Sequence, residues 1–386
     1  MTDEQELRDR LAAVDVPSSR IEVEGLVRAG RRRTVRRRAA QTVGAALAVG
    51  TLLSAPSVLA RTGPGPTTTT AQRTGAPVAT TASAEAAAAP RSCRMSKLPV
   101  PAGLKNVSVS GVDPTGTYIV GNGLSGQDFR PVLWTAGQAR ALPMPGASVE
   151  MSAVNARGVA VGLVNDGSEE YVVRYENGKV TKLDLPDGNW HPYPVPAINA
   201  AGDVLVNVEP QGNSGGKDSI VLLWKAGSTT AVRLPLPEGA NAHDLTDDGT
   251  IIGSMYEDGL AVAAYAWNER GEGRKLDSPK GMRAAGYAGQ GDWATGGLWP
   301  DGTAALWNLR TGKIVQLDFP GPGDAVNSAG WVTVAGAVVR DGEAVKLPAP
   351  KGETGKATGL SDTGLVVGHT VGAGDGRGKG PRTWQC

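Results

Sequence analysis

From residue 93 to residue 386 one pattern of apolar and polar positions keeps returning. An apolar residue, a small polar one, two loose positions and a glycine are followed by a β-branched run. The copies read VDPTG (112–116), VNARG (154–158), INAAG (198–202), LTDDG (245–249), YAGQG (287–291), VNSAG (326–330) and LSDTG (360–364). Their glycines lie 42, 44, 47, 42, 39 and 34 residues apart. Each unit divides into four short strands; in the first these are NVSVSGVD, TYIVG, RPVLWT and QARALPMP. The last four residues of each copy, a tetrad with Asn or Asp first in most copies and Gly last, fall between the first and second strands. There an Asn or Asp side chain caps its own turn, and Gly accepts the positive φ that reverses the chain.

Other positions keep step with the tetrad. Five residues before each glycine stand Gly111, Ala153, Ala197, Asp244, Gly286, Ala325 and Gly359, mostly small, as an innermost strand crowded about an axis requires. The second strand ends in Gly121, Gly162, Gly253, Gly296, Ala335 or Gly368. The third ends in an aromatic residue, Trp134, Tyr175, Trp224, Trp267, Trp307 or Trp384, with Arg340 the exception. One ring per unit at a fixed place suits packing between neighbouring sheets better than stacking on a sugar. The fourth strand closes on LPMP (142–145), LDLP (183–186), LPLP (234–237), LDSP (276–279), LDFP (317–320) or LPAP (347–350), where an outer edge tolerates proline. Units of this length with four strands each predict an all-β chain folded as a seven-bladed β-propeller.

An extra closing motif, KLPVP (97–101), precedes the first unit, while the last unit stops after its third strand at PRTWQC. Residues 93–100 therefore supply the missing outer strand of blade seven, and the ring closes by a split blade. That pairing would bring Cys93 and Cys386, the only two cysteines, to Cα atoms about 5.5 Å apart, a separation that a disulfide bridges.

The first 92 residues read differently. Residues 1–38 form a basic segment with short helices: EQELRDRLAAVDV (4–16) is helical in composition, Pro17 stops it, and Ser19 with Glu22 resembles a capping box. The block from Arg28 to Arg38 holds seven arginines. Residues 39–60 carry no charge and would span about 33 Å as a helix, long enough for a transmembrane segment. The arginines on one flank predict a single-pass protein with a cytoplasmic N-terminus and an extracellular propeller. Membrane lipid is then a partner of residues 39–60 and of the Arg28–Arg38 block. The alternative is secretion after signal cleavage near Ala60, where Val58-Leu59-Ala60 resembles a cleavage site; Arg36-Arg37-Arg38 also resembles a degenerate twin-arginine signal. Residues 61–92, rich in Thr, Ala and Pro, cannot form a core and predict a disordered spacer.

The I-N-x-x-G, V-V-G and L-W elements of residues 93–386 resemble the HAF-type extracellular repeats of bacterial propeller proteins. The basic N-terminus, single span and Pro/Thr spacer are similar to membrane-anchored proteins of high-GC Gram-positive bacteria. The resemblance implies a β-propeller and a surface location, and it implies no activity. The Trp-Asp ending of intracellular WD repeats is missing.

Charge and chemistry narrow the function only in part. Formal net charge is +1, and beyond residue 38 the chain is close to neutral, which gives no case for nucleic acid as partner. Trp190, His191, His243, Asp244, Arg283 and Asp324 fall in or near the loops that lead into inner strands and are the candidate ligand-binding residues. The ligand is expected on the face made by the fourth-to-first and second-to-third loops. His191, His243 and His369 fall in different units, without metal-ligand spacing, so no metal or other cofactor is expected. No G-x-S-x-G elbow or complete P-loop occurs, and no catalytic residue is assigned. The expectation is a monomeric, surface-tethered, non-catalytic module recognising an extracellular peptide, protein or glycan. One alternative is a hydrolase or lyase acting on wall carbohydrate or peptide through His243, Arg283 and Asp324. Another is a signalling protein acting through residues 1–38.

Overall fold

The seven units fold as seven separate antiparallel sheets; five are simple meanders, blade 3 has a broken inner strand, and blade 7 takes its outer strand from the start of the domain. The computed structural model describes residues 92–146, 148–213, 218–372 and 378–386. The basic segment, the proposed membrane span and the spacer up to residue 91 lie outside the described residues, as do residues 147, 214–217 and 373–377. Every regular element among the described residues is a strand. Blades 1 to 6 cover residues 105–141, 148–183, 190–233, 240–275, 283–320 and 325–346. Blade 7 covers residues 353–385 together with the strand Arg94–Lys97. Inner strands of consecutive blades touch, and that of blade 7 touches that of blade 1, so the ring is closed.

The closing strand sits where the leftover motif placed it. Arg94–Lys97 pairs antiparallel with Gly378–Gln385, Arg94 opposite Gln385 and Lys97 opposite Arg382. Just beyond this pairing, Cys93 and Cys386 form a disulfide with Cα atoms 4.1 Å apart.

All seven tetrad glycines have positive φ, from 55° at Gly291 to 89° at Gly202. The Asx residue caps its turn: Asn155 Oδ1 accepts the N–H groups of Arg157 and Val159, and Asn327 Oδ1 those of Ala329 and Trp331. The same side chains also tie blade to blade, because Asn155 Nδ2 donates to Asn199 O and Asn327 Nδ2 to Ser361 O. Above the turns a second set of clasps does likewise. Asn122 Nδ2 donates to Met151 O and its Oδ1 accepts Met151 N, and Asn207 makes the same pair of bonds with Ala242.

Two recurring positions have a different physical reason from the expected one. Gly121, Gly162, Gly253, Gly296 and Gly368 lie inside the second strand rather than at its end. A Cβ there would stand 1.9–2.1 Å from a carbonyl oxygen of the inner strand. Each faces a β-bulge, where the inner strand carries one extra residue and its backbone presses closer. Ala335 is no member of this set: blade 6 is short, and Ala335-Gly336 turns the chain between Val332–Val334 and Ala337–Arg340.

The closing leucines are the second case. In most blades the outer strand has ended by this leucine, and Leu98, Leu142, Leu183, Leu234, Leu276, Leu317 and Leu347 are all buried. Beside them the third-strand indole of the following blade donates Nε1–H to the residue after the leucine. The pairs are Trp134 to Pro99 O, Trp224 to Asp184 O, Trp307 to Asp277 O and Trp384 to Pro348 O, at 2.7–3.0 Å. Proline or aspartate there leaves the carbonyl as an acceptor for the next blade. Blade 6 has no such aromatic, and its Arg340 instead lies 4.6 Å over the ring of Trp331.

Candidate functional site in the central channel

The bulges that demand glycine also build the channel wall. The extra residue is Ser110 in blade 1, Ser152 in blade 2, His243 in blade 4, Tyr287 in blade 5 and Thr358 in blade 7. Blade 3 breaks its inner strand between Trp190–Pro192 and Ala197–Ile198 and places Pro196 at this level, and blade 6 places Asp324 there. All seven line one cavity of about 320 Å³. It sits at the end of the channel ringed by the tetrad turns, with Asn155, Asn199 and Asp247 among its lining. This is the end opposite to the one expected for the ligand.

The repeat in sequence hid this ring for one reason. A bulge moves the channel-facing side chain onto the residue just before the small one that the spacing singled out. That neighbour is readable six residues before the glycine in six units. Blade 5 escapes the rule because its glycine comes two positions earlier in the turn, and register aligns Ala288, not Gly286, with Gly111.

Three of the six expected ligand residues meet here: His243, Asp244 and Asp324. The others do not. Arg283 begins the strand Arg283–Gln290 and lies four residues before Tyr287, about 13 Å along a strand. Trp190 and His191 belong to the strand Trp190–Pro192, and His191 Nδ1 lies 3.2 Å from Glu170 of blade 2. The set His243, Arg283 and Asp324 is therefore not assembled at one point.

One wall of the cavity is aromatic. The rings of His243 and Tyr287 meet edge to face at 5.3 Å, and Tyr287 meets Trp299 edge to face at 6.4 Å. Tyr256 OH lies 3.3 Å from His243 Nε2. Burial pushes the imidazole pKa down to about 4, so His243 is neutral at pH 7, and burial pushes the Tyr256 phenol well up.

Asp244 is held by its neighbours: Oδ2 accepts Gly289 N–H and Oδ1 accepts Leu245 N–H. Burial nevertheless raises its pKa to about 6, outweighing those bonds, and the charge of Asp247 adds to the rise. Asp324 opens onto the channel but is walled by protein elsewhere; burial raises it to about 6, and the charge of Lys356 opposes the shift. Val195, about half exposed, supplies an apolar patch. Among the described residues no lysine or arginine lines the cavity. Among the described residues no three His, Cys, Asp or Glu side chains converge as metal donors.

Comparison with known proteins adds the fold. No protein-family model matches the chain, and no curated protein sequence matches it. Among solved structures it is similar to an oligogalacturonate lyase from Vibrio parahaemolyticus, with 9% identity over 76% of this chain and 97% of that one, TM-score 0.52. It is also similar to a virginiamycin B lyase from Staphylococcus aureus, with 14% identity over 76% and 99%, TM-score 0.48. A gluconolactonase from Xanthomonas campestris shows 14% identity over 76% and 89%, TM-score 0.42. At 9% identity the likeness to the oligogalacturonate lyase shows the fold alone and nothing about chemistry.

Proposed function

We propose that this chain is a binding propeller that takes a narrow polar end of an extracellular ligand into its central cavity. The observation that carries this reading is the ring itself. Seven blades each place one residue at the same level around a cavity of about 320 Å³, at the small end for ligand sites. A folded partner cannot enter such a space; a side chain or chain end can. The polar groups best placed for acid–base work are already engaged by the scaffold, Asp244 by two backbone N–H groups and His243 by Tyr256. That arrangement suits recognition more than turnover.

The setting we propose is the outer surface of the cell, with residues 39–60 as anchor and 61–92 as spacer. The Cys93–Cys386 disulfide supports an exported location, since such bonds persist in oxidising compartments. The test is binding of the full-length protein to arrays of peptides and wall glycans, alongside Val195→Trp, which fills the cavity from an exposed position. Ligand capture lost in the variant, with an unchanged melting temperature, is the expected result. Capture that survives in Val195→Trp would overturn the cavity as the site.

A second reading has one specific observation behind it. A neutral histidine and a carboxyl group with a pKa of about 6 line the same cavity, as an acid–base pair would. Turnover of any array member that His243→Gln abolishes would favour a hydrolase or lyase.

A further inference from the structure

From the cavity's lining, and resting on the binding reading above, we infer that the ligand end is a lysine-type side chain of a peptide, its ammonium held by Asp324 and Asp244. Charge, shape and wall chemistry point the same way. Among the described residues Asp244, Asp247 and Asp324 line the cavity and no lysine or arginine does; Lys356, outside the lining, acts on Asp324, which leaves three carboxyl groups against one cation and disfavours an anionic ligand. Both oxygens of Asp244 accept backbone N–H groups, whereas among the described residues the Asp324 carboxyl group accepts no hydrogen bond and meets only the charge of Lys356. Asp324 is therefore the group free to take a new donor, with Asp244 adding charge from a fixed position.

The rest of the wall fits the stem. Val195 and Pro196 on blade 3 and Ala325 and Val326 on blade 6 offer apolar surface to a methylene chain, which a lysine buries while its head seeks charge. The Tyr287 ring, backed by Trp299, stands on the same wall and favours a cation over a neutral group. A sugar amine carries hydroxyls around its ring and would leave these apolar surfaces without a partner. A lysine stem does not. Burial has raised both carboxyl groups to about 6, and an arriving ammonium would draw them back toward the ionised form.

The experiment is calorimetric titration of the full-length protein, held in mild detergent at low salt, with the blocked tripeptide Ala-Lys-Ala. The same peptide with Nε-acetyl-lysine, the same peptide with norleucine, and free glucosamine complete the set. The expected result is binding of the lysine peptide alone, weakened about tenfold or more by Asp324→Asn and further by Asp324→Lys. Asp324→Asn keeps the size of the side chain and should hold the melting temperature close to wild type, whereas Asp324→Lys sets a second cation near Lys356 and should lower it. Equal binding of the acetylated peptide would overturn charge recognition while leaving the cavity reading intact. Glucosamine binding without the peptide would overturn the peptide assignment. No binding by any of the four would overturn the proposal outright, and the cavity reading would then stand or fall on Val195→Trp in the wider array.

Discussion

Single side chains in this fold do work that their sequence context only half discloses. Gly253 illustrates it: spacing marks it as a small residue, but only the bulge explains why nothing else fits. A Cβ there would stand 2.1 Å from Asn241 O, backbone against backbone, with no flexible side chain to give way. Gly253→Ala should cost about 3 kcal/mol in chemical denaturation. Gly378→Ala, whose Cβ would meet nothing nearer than 3.8 Å, should be close to neutral. Equal effects would refute the close-approach account. The channel histidine allows a pH test. Because burial lowers His243 to about 4, the unfolded chain, with the ordinary value near 6.5, takes the proton first as pH falls. His243 therefore costs the native state stability between about pH 6.5 and 4. Asp244, raised to about 6, has the opposite slope: its contribution falls as pH rises from about 4 to 6. Removing one slope exposes the other. His243→Gln should gain on the wild type by up to about 3 kcal/mol as pH falls from 6.5 to 4. Urea unfolding of both proteins at pH 7, 5.5 and 4.5 measures this, and parallel stability curves would reject it. None of these pKa shifts could be read in the sequence, because they depend on which residue the bulge turns inward.

Blades were far more legible than sites, and the reason is repetition. Turn residues, third-strand aromatics and closing leucines recur because every blade solves the same packing problem, so seven weak signals sum to a firm one. Where a blade departs from the rule less was legible, as in the split inner strand of blade 3 and the compressed blade 6. The Leu-Pro and Leu-Asp motifs were legible as punctuation; their use as a socket for the next blade's indole was not, since that bond joins different units. It makes a quantitative prediction. Trp307→Phe loses the 2.7 Å bond to Asp277 O and part of a fully buried ring, and should cost about 2 kcal/mol. Leu276→Ala beneath it, fully buried, should cost about 2–5 kcal/mol. If the indole and the leucine form one socket, the double variant will lose less than the sum of the two single losses. Strict additivity in a double-mutant cycle would separate them.

The ring as a whole depends on its seam. Six blades are each one continuous stretch of chain, whereas blade 7 joins the strand Arg94–Lys97 to Gly378–Gln385 across almost the whole domain. The disulfide stands at the outer end of that pairing, where the chain arrives from residues 61–92. With its cysteines 293 positions apart in sequence, chain-entropy arithmetic assigns it about 5–6 kcal/mol as an upper figure. Reduction should therefore lower the melting temperature without preventing assembly of blades 1 to 6. The ends of the chain were legible because both carry half of a motif that occurs whole elsewhere. Non-reducing peptide mapping of the folded protein tests ring closure directly. One intramolecular bridge between the Cys93 and Cys386 peptides, with no alkylatable thiol, is the predicted result. Two freely alkylated cysteines in the folded protein would contradict the closed seam.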